Sequence, residues 1–313
     1  LEGISQNHIK SFIILIAFLA GLYSQFKDIL NQMQWNGFFG DWFQMDDESL
    51  LVFIIFNSFI LVALVFLAFL ISLSKTILIN YNLKVVEDGN TIEISKGLLN
   101  KISLNLIPKR IQSLKITNNR IKRYFGLNTL FVNQAMVDKQ QIQSLSIIGL
   151  SKSKVNYLTA KIYPTYVHLS ERLKPETYFK RVFAIRGILI GLTINLMTIP
   201  FFGNGFYFIN LVIVPFIYLF TKHTYLKSYY QLDESFLTIG NGFIETNTNI
   251  LELHKIQSVE WSQSIFQKRK KIASLKVFTA SSKLSIPYLS EDMAKAVMDF
   301  IIFRVTSSQK NWM

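Results

Sequence analysis

The chain contains no cysteine, only 6 prolines, and few charges for its length of 313 residues. Without thiols it has no disulfides, no thiolate nucleophile, no C-x-x-C redox pair and no Cys-ligated zinc. Charged residues make up 17% of the chain, against roughly 25% in ordinary globular proteins. Acids are the scarcer sign: 20 Asp and Glu face 33 Lys and Arg, for a net charge of +13. Catalytic and nucleotide signatures are also missing. There is no G-x-G-x-x-G, no G-x-x-x-x-G-K-[ST] and no G-x-S-x-G. His8, His168, His223 and His254 are scattered, with no H-E-x-x-H or H-x-H spacing, and read as structural or surface residues. The expectation is a non-enzymatic protein without a cofactor or a metal.

What the chain does have is apolar sequence in blocks. Half of it is hydrophobic, and Phe alone supplies 27 residues. Ser11–Tyr23 and Leu50–Leu73 carry no charge, and Val182–Pro200 and Phe206–Phe220 follow on either side of the glycine-bearing Phe201–Gly205 segment. A membrane span needs roughly 20 mostly apolar residues. The pattern predicts spans at about 10–30, 50–73, 182–200 and 205–221, paired into two hairpins covering 1–73 and 174–221. Polar regions at 74–173 and 222–313 alternate with them.

Charge then assigns sidedness. Residues 25–50 sum to −4, residues 74–182 to +12 and residues 222–313 to +4. Positively charged segments stay on the cytoplasmic side. Both polar regions are therefore expected inside and both hairpin tips outside, in a multi-pass protein of the bacterial cell membrane. The first outer loop carries Trp35, Phe38, Phe39, Trp42 and Phe43, as an interfacial anchor does. Asp46-Asp47-Glu48 reads as a solvated cap before the second span, with a divalent cation as the alternative occupant.

The two polar regions repeat each other. At an offset of 145, Asp88–Ala135 overlies Asp233–Ala280 without a gap, with 10 identities in 48 columns. Ile111-Gln112-Ser113 matches Ile256-Gln257-Ser258, and Gly97 matches Gly242. The unit is a hairpin plus a polar domain, used twice. Each polar domain alternates as short strands do. Strands are expected over 76–86 and 91–95 about the Glu87-Asp88-Gly89-Asn90 turn, then over 98–107, 110–117, 128–133 and 141–148. A helix closes each copy. Ser151 or Ser153 caps the first, which buries Val155, Leu158 and Ile162; Ser290 caps the second, which buries Met293, Val297, Phe300 and Ile301. The fold class is an α+β membrane protein with two small β-barrels or sandwiches, each plugged by a C-terminal helix.

Ile107-Pro108-Lys109-Arg110-Ile111-Gln112-Ser113-Leu114 and Arg123-Tyr124-Phe125-Gly126-Leu127-Asn128-Thr129-Leu130-Phe131-Val132 resemble the bacterial pleckstrin-homology-like domain of membrane-flanked, YdbT-type proteins. The resemblance covers nearly the whole chain and implies PH-like domains alternating with transmembrane hairpins. It also implies a further upstream copy, in keeping with a first residue, Leu1, that is not Met. The second copy departs from the pattern, with Leu253 in place of Pro108 and Lys271 in place of Gly126. If Gly126 takes a positive φ, the second turn is expected to differ.

Two basic groups are the candidate binding residues: Lys109, Arg110, Lys122 and Arg123 with Arg120 in the first domain, and Lys268, Arg269, Lys270 and Lys271 at the aligned place in the second. A juxtamembrane run adds Lys174, Lys180, Arg181 and Arg186, the last expected to snorkel. Near an anionic leaflet each cation contributes about 1 kcal/mol. The expected partners are the bilayer, anionic lipid head groups or a membrane protein partner, with homo-oligomerisation open and nucleic acid not expected. The phosphoinositide loop of eukaryotic pleckstrin domains is not carried over, because the corresponding turns, Glu87-Asp88-Gly89-Asn90 and Asp233-Glu234-Ser235, are acidic. An interaction scaffold is the favoured function. An envelope-stress or antimicrobial-peptide resistance role is the alternative, and a transporter is disfavoured by the few polar groups within the spans.

Overall fold

The computed structural model describes residue 15 and residues 50–89, 91–135, 145–167, 171–202 and 210–308. The first expected span, the aromatic outer loop and Asp46-Asp47-Glu48 lie outside these residues. The chain divides into two compact units, one of residues 1–84 and 95–103, the other of residues 85–94 and 104–313.

In the first unit, α1 (Leu50–Ile79) is a 30-residue helix. Among the described residues one window, Val62–Ile79, is long and apolar enough to cross a membrane. The strand expected from residue 76 does not form there. An apolar helix already running propagates more cheaply than a new element nucleates, and Thr76 Oγ1 donates back to Ser72 O in that geometry. The helix ends where Asn80 Nδ2 donates to Thr76 O and Asn82 turns left-handed at φ 50°. The Gly97 turn docks on this end: Gly97 N donates to Tyr81 O and Leu98 N to Leu78 O.

The strands then follow the repeat. Strands β1 (Lys84–Asp88), β2 (Thr91–Lys96) and β3 (Ile102–Leu106) form a three-stranded sheet in that order. β4 (Ile111–Asn118), the short α2 (Arg120–Tyr124), β5 (Leu127–Gln134), β6 (Leu145–Ser151) and α3 (Lys152–Ile162) complete the first copy. Ser151 is the N-cap of α3, accepting from Lys154 N, and α3 buries Val155, Leu158 and Ile162 as its spacing predicts.

Next come α4 (Tyr178–Phe202) and α5 (Asn210–Lys227), which pack as a helical pair. Close approach is possible because a Cβ on Gly187 would lie 2.7 Å from the Ile217 side chain. Asn195 and Asn210 exchange two side-chain hydrogen bonds of 2.9 Å across the pair, the sort of polar link that joins helices where water is scarce. The second copy contains β7 (Tyr229–Leu232), β8 (Phe236–Asn241), β9 (Thr246–Glu252), β10 (Ser258–Ser262), α6 (Ile265–Arg269), β11 (Ile272–Phe278), β12 (Lys283–Ser290) and α7 (Glu291–Ser307). Its core gathers Leu237, Leu251, Leu275, Val277, Val297 and Ile301. On α7 the stripe is shifted from expectation: Ala294 is buried and Met293 is exposed. Ser290 occupies the N-cap without a side-chain cap bond.

The two copies are not separate bodies. Strand β4 of the first pairs antiparallel with β9 of the second, from Ser113↔Leu251 to Asn118↔Thr246. The result is a six-stranded sheet of order β6-β5-β4-β9-β8-β7. Side chains reinforce the join. Thr117 Oγ1 donates to Asn247 Oδ1 at 2.9 Å. Lys255, 2% exposed, donates to Ile111 O at 2.5 Å and pairs with Glu252 at 2.6 Å. The Lys255 ammonium also lies 5.5 Å from the Tyr163 ring centroid. Burial pushes the Tyr163 hydroxyl well above its usual pKa, and the Glu252 carboxylate pushes in the same direction.

Candidate functional site

Three repeated devices place the exposed groups of this chain. The first is the turn at Gly97 and Gly242. These residues sit at φ 111° and 129°, and a Cβ there would lie 2.0 Å from Asn100 O and Glu245 O respectively, so only glycine fits. Each turn carries apolar residues: Leu98 and Leu99 in the first copy, Phe243 and Ile244 in the second. The second turn is clamped to the end of α5. Lys227 Nζ donates to the carbonyls of Phe243, Ile244 and Glu245. The Phe243 ring meets Phe216 and Phe220 at 5.9 and 4.6 Å. Burial lowers the Lys227 pKa, Arg123 and Arg120 lower it further, and Glu245 opposes them.

The second device is the short helix after the fourth strand of each copy. Asn119 caps α2 through the Lys122 N–H, and Ser264 caps α6 through the Gln267 N–H. The third position inside each cap turns inward. Lys122 Nζ donates to Thr129 Oγ1 at 2.6 Å, and Gln267 Nε2 donates to Ser274 Oγ at 3.2 Å. Lys122 is therefore 5% exposed and lies beneath the surface that its basic neighbours share. The helix ends also match, against expectation: Gly126 has φ 67° and Lys271 has φ 52°. The turn is the same in both copies, and lysine bears a left-handed backbone because the Lys271 N–H to Lys268 O bond repeats that of Gly126 to Arg123.

The third device is the exposed crest around these helices. Ile121, Tyr124 and Phe125 are exposed on the first, and Ile265 and Phe266 on the second. Arg123, Lys268 and Arg269 are exposed on or beside these helices, while Lys109 and Arg110 are exposed at the other end of β4. Lys270 and Lys271 instead line a groove with Glu176, Glu291 and Asp292, where acids offset them. The expected eight-residue set is thus divided: seven exposed cations, of which Lys270 and Lys271 share a groove with three acids, and one buried lysine, Lys122.

A groove of about 780 Å³ lies between α4 and the second copy. Phe179, Phe183 and Tyr288 form its aromatic wall, with ring centroids 4.4 and 5.5 Å from Phe179. Arg186 and Lys276 supply its charge. Lys276 is held by Glu260 at 2.5 Å, while the exposed Arg186 guanidinium lies 5.8 Å from the Phe183 ring centroid. Burial raises the Tyr288 hydroxyl pKa, and Arg186 opposes that rise. Among the described residues no three His, Asp or Glu side chains gather as a metal site would require. The exposed groups are thus apolar turns, an aromatic groove and basic residues.

Two α+β repeats, each with two three-stranded segments and a closing helix, define the class as a tandem PH-like protein. The family model described as Bacterial PH domain matches residues 48–165 and 185–303, and the chain belongs to that family. The chain is 23% identical over 243 residues to the UPF0699 transmembrane protein YdbT of Bacillus subtilis (strain 168). That alignment covers 76% of this chain and 49% of the relative, so the chain spans about half the length of the curated relative it matches.

Proposed function

We propose that the chain is a multi-pass membrane scaffold that presents its tandem PH-like domains on the cytoplasmic face of a bacterial cell membrane. The observation that carries this reading is the clamp between α5 and the second copy. Only Ser228 separates the helix from β7, and Lys227 and Phe243 tie its last turns to the β8–β9 turn. A helix held this way fixes the orientation of the domain it enters. The charge asymmetry of the chain supports cytoplasmic domains, and the apolar lengths of α1 and the α4–α5 pair support two hairpins. Exposed Lys109, Arg110, Arg123, Lys268 and Arg269 would then contact anionic lipid or an acidic membrane protein partner.

The absence of native cysteine makes the topology directly testable. Single-cysteine variants N204C and K283C, treated with a membrane-impermeant maleimide, are expected to label from opposite sides. N204C should react in intact cells and K283C only in inverted vesicles. Labelling of both from the same side overturns the reading. Crosslinking in the membrane, with identification of what co-purifies, then tests the scaffold role.

A further inference from the structure

A cleft of about 870 Å³ opens where the two repeats join, lined by α3 on one side and by residues of β4, β5, β7 and β9 on the other. Three exposed cations converge on it, Arg123, Lys152 and Arg172, and no acidic side chain lines it among the described residues. None of the three forms an ion pair among those residues. The Arg172 guanidinium stacks 4.6 Å from the Tyr229 ring centroid, which fixes its plane without neutralising it. Arg123 is also one of the charges that depress Lys227, so the positive field extends to the end of α5.

Two polar atoms in the wall have no hydrogen-bond partner among the described residues. Thr159 is 6% exposed and its Oγ1 is unbonded. Asn118 donates from Nδ2 to Asn128 Oδ1 at 2.6 Å, while its own buried Oδ1 accepts nothing. Buried polar groups of this kind normally find a partner. The cleft is particular to the first copy: Asn128 aligns with Ala273, and the 17-residue α7 replaces the 11-residue α3.

We propose that this cleft binds a phosphate ester that also carries hydroxyl groups. Its phosphate oxygens accept from Arg123, Arg172 and Lys152 and from the Thr159 hydroxyl. A ligand hydroxyl donates to Asn118 Oδ1. Planar guanidinium forks suit phosphate, and a hydroxyl donor answers the one acceptor that cations cannot satisfy from their present positions. Two sources share this chemistry, the head group of an anionic glycerophospholipid and a free polyol phosphate. The free-ligand form does not depend on the membrane topology above, so the two readings can fail separately.

The full chain in phosphatidylcholine nanodiscs is titrated with glycerol 1-phosphate by calorimetry. In parallel, phosphatidylglycerol is added to the nanodiscs, and lipid retained by the protein is counted by native mass spectrometry. Saturable binding of glycerol 1-phosphate assigns the free source, and retention of phosphatidylglycerol alone assigns the lipid source. Either is expected to weaken about tenfold in R172Q and in R123Q, the effect of losing one charge-assisted contact. T159V is expected to weaken binding by a smaller factor, and K295Q, an exposed position outside both the cleft and the basic groups named above, to leave it unchanged. Thermal unfolding confirms that each variant folds; if R172Q does not, R172K keeps the charge, loses the fork and is expected to bind at an intermediate level. Saturable binding of neither probe, or binding unaltered by R172Q or R172K, overturns the proposal.

Discussion

The two repeats share a plan and differ in how each is finished. The second closes on itself: α7 lays Ala294, Val297 and Ile301 into a core with Leu275, Val277 and Leu251. The first closes partly on its neighbour. Its β4 finds a partner in β9, and the Tyr163 that follows its closing helix packs on Phe236 with centroids 5.4 Å apart. Positions that correspond in sequence therefore do different work. Lys255 aligns with Arg110, yet Lys255 is buried at the join and Arg110 is exposed. A sequence repeat here is a unit of local structure, whereas the six-stranded sheet belongs to the pair.

The largest effects should separate such aligned pairs. Lys255→Ala removes a buried ammonium that bonds Ile111 O and pairs with the partly exposed Glu252, so it should cost about 3 kcal/mol. Arg110→Ala, at an exposed site, should stay within about 0.5 kcal/mol. Urea unfolding of both variants in the same detergent reads the difference, and equal losses would break the asymmetry. Next, Gly97→Ala and Gly242→Ala should be alike. Each adds a Cβ against a carbonyl oxygen at positive φ, and each should lose at least about 1–3 kcal/mol. A loss in one copy alone would mean that the two turns do not serve the same end.

A smaller effect should have opposite signs. At Gly126 a Cβ meets nothing within 4 Å, so Gly126→Ala carries only the backbone penalty, about 1–2 kcal/mol. Lys271→Gly should return a similar amount in the second copy, read as a raised unfolding midpoint. The smallest effect is acid-dependent and common to both copies. The Lys161 ammonium holds the Glu87 carboxylate below its ordinary pKa, with Tyr157 adding to this, and Lys276 does the same for Glu260. A lowered folded pKa means stability that is present above the unfolded value of about 4.3 and lost as pH falls through the folded value. Both carboxylates are at the surface, so the check is their titration by NMR. Lys161→Gln and Lys276→Gln should each raise the midpoint of its own glutamate and leave the other unchanged.

Much of this plan was legible in the sequence because it is local. The offset of 145 carries β2 onto β8, α2 onto α6 and the Asn119 cap onto Ser264, since turn glycines, caps and alternation are written in neighbouring residues. The end of α1 was misread because Thr76-Ile77-Leu78-Ile79 has strand-like side chains, and continuity with the preceding helix outweighed them. The turn at Lys271 was expected to differ because side-chain identity stood in for backbone geometry, which hydrogen bonds fixed instead. The β4–β9 pairing had no local signature: an edge strand states that it can pair, not with what. For the same reason the cleft residues Lys152, Thr159 and Arg172 escaped notice. Lys152 and Thr159 share α3 without any motif to mark them, and the shared sheet is what brings them opposite Asn118, Arg123 and Tyr229. Among the signalled cations, Arg123 is the one the cleft uses, and Lys122 belongs to the interior.

The continuous sheet also has a mechanical meaning. Helix α5 runs into β7 through a single residue, and β7 is the terminal strand of six. Inter-strand hydrogen bonds stand perpendicular to the strands. A pull delivered along β7 therefore loads its bonds to β8 side by side, in shear, instead of unzipping them one after another. The same load passes through β9 and β4 to the first repeat without crossing a flexible linker. Tension or tilt in the α4–α5 pair would reach both repeats as a single displacement, and the walls of the cleft, built from both, would shift with it.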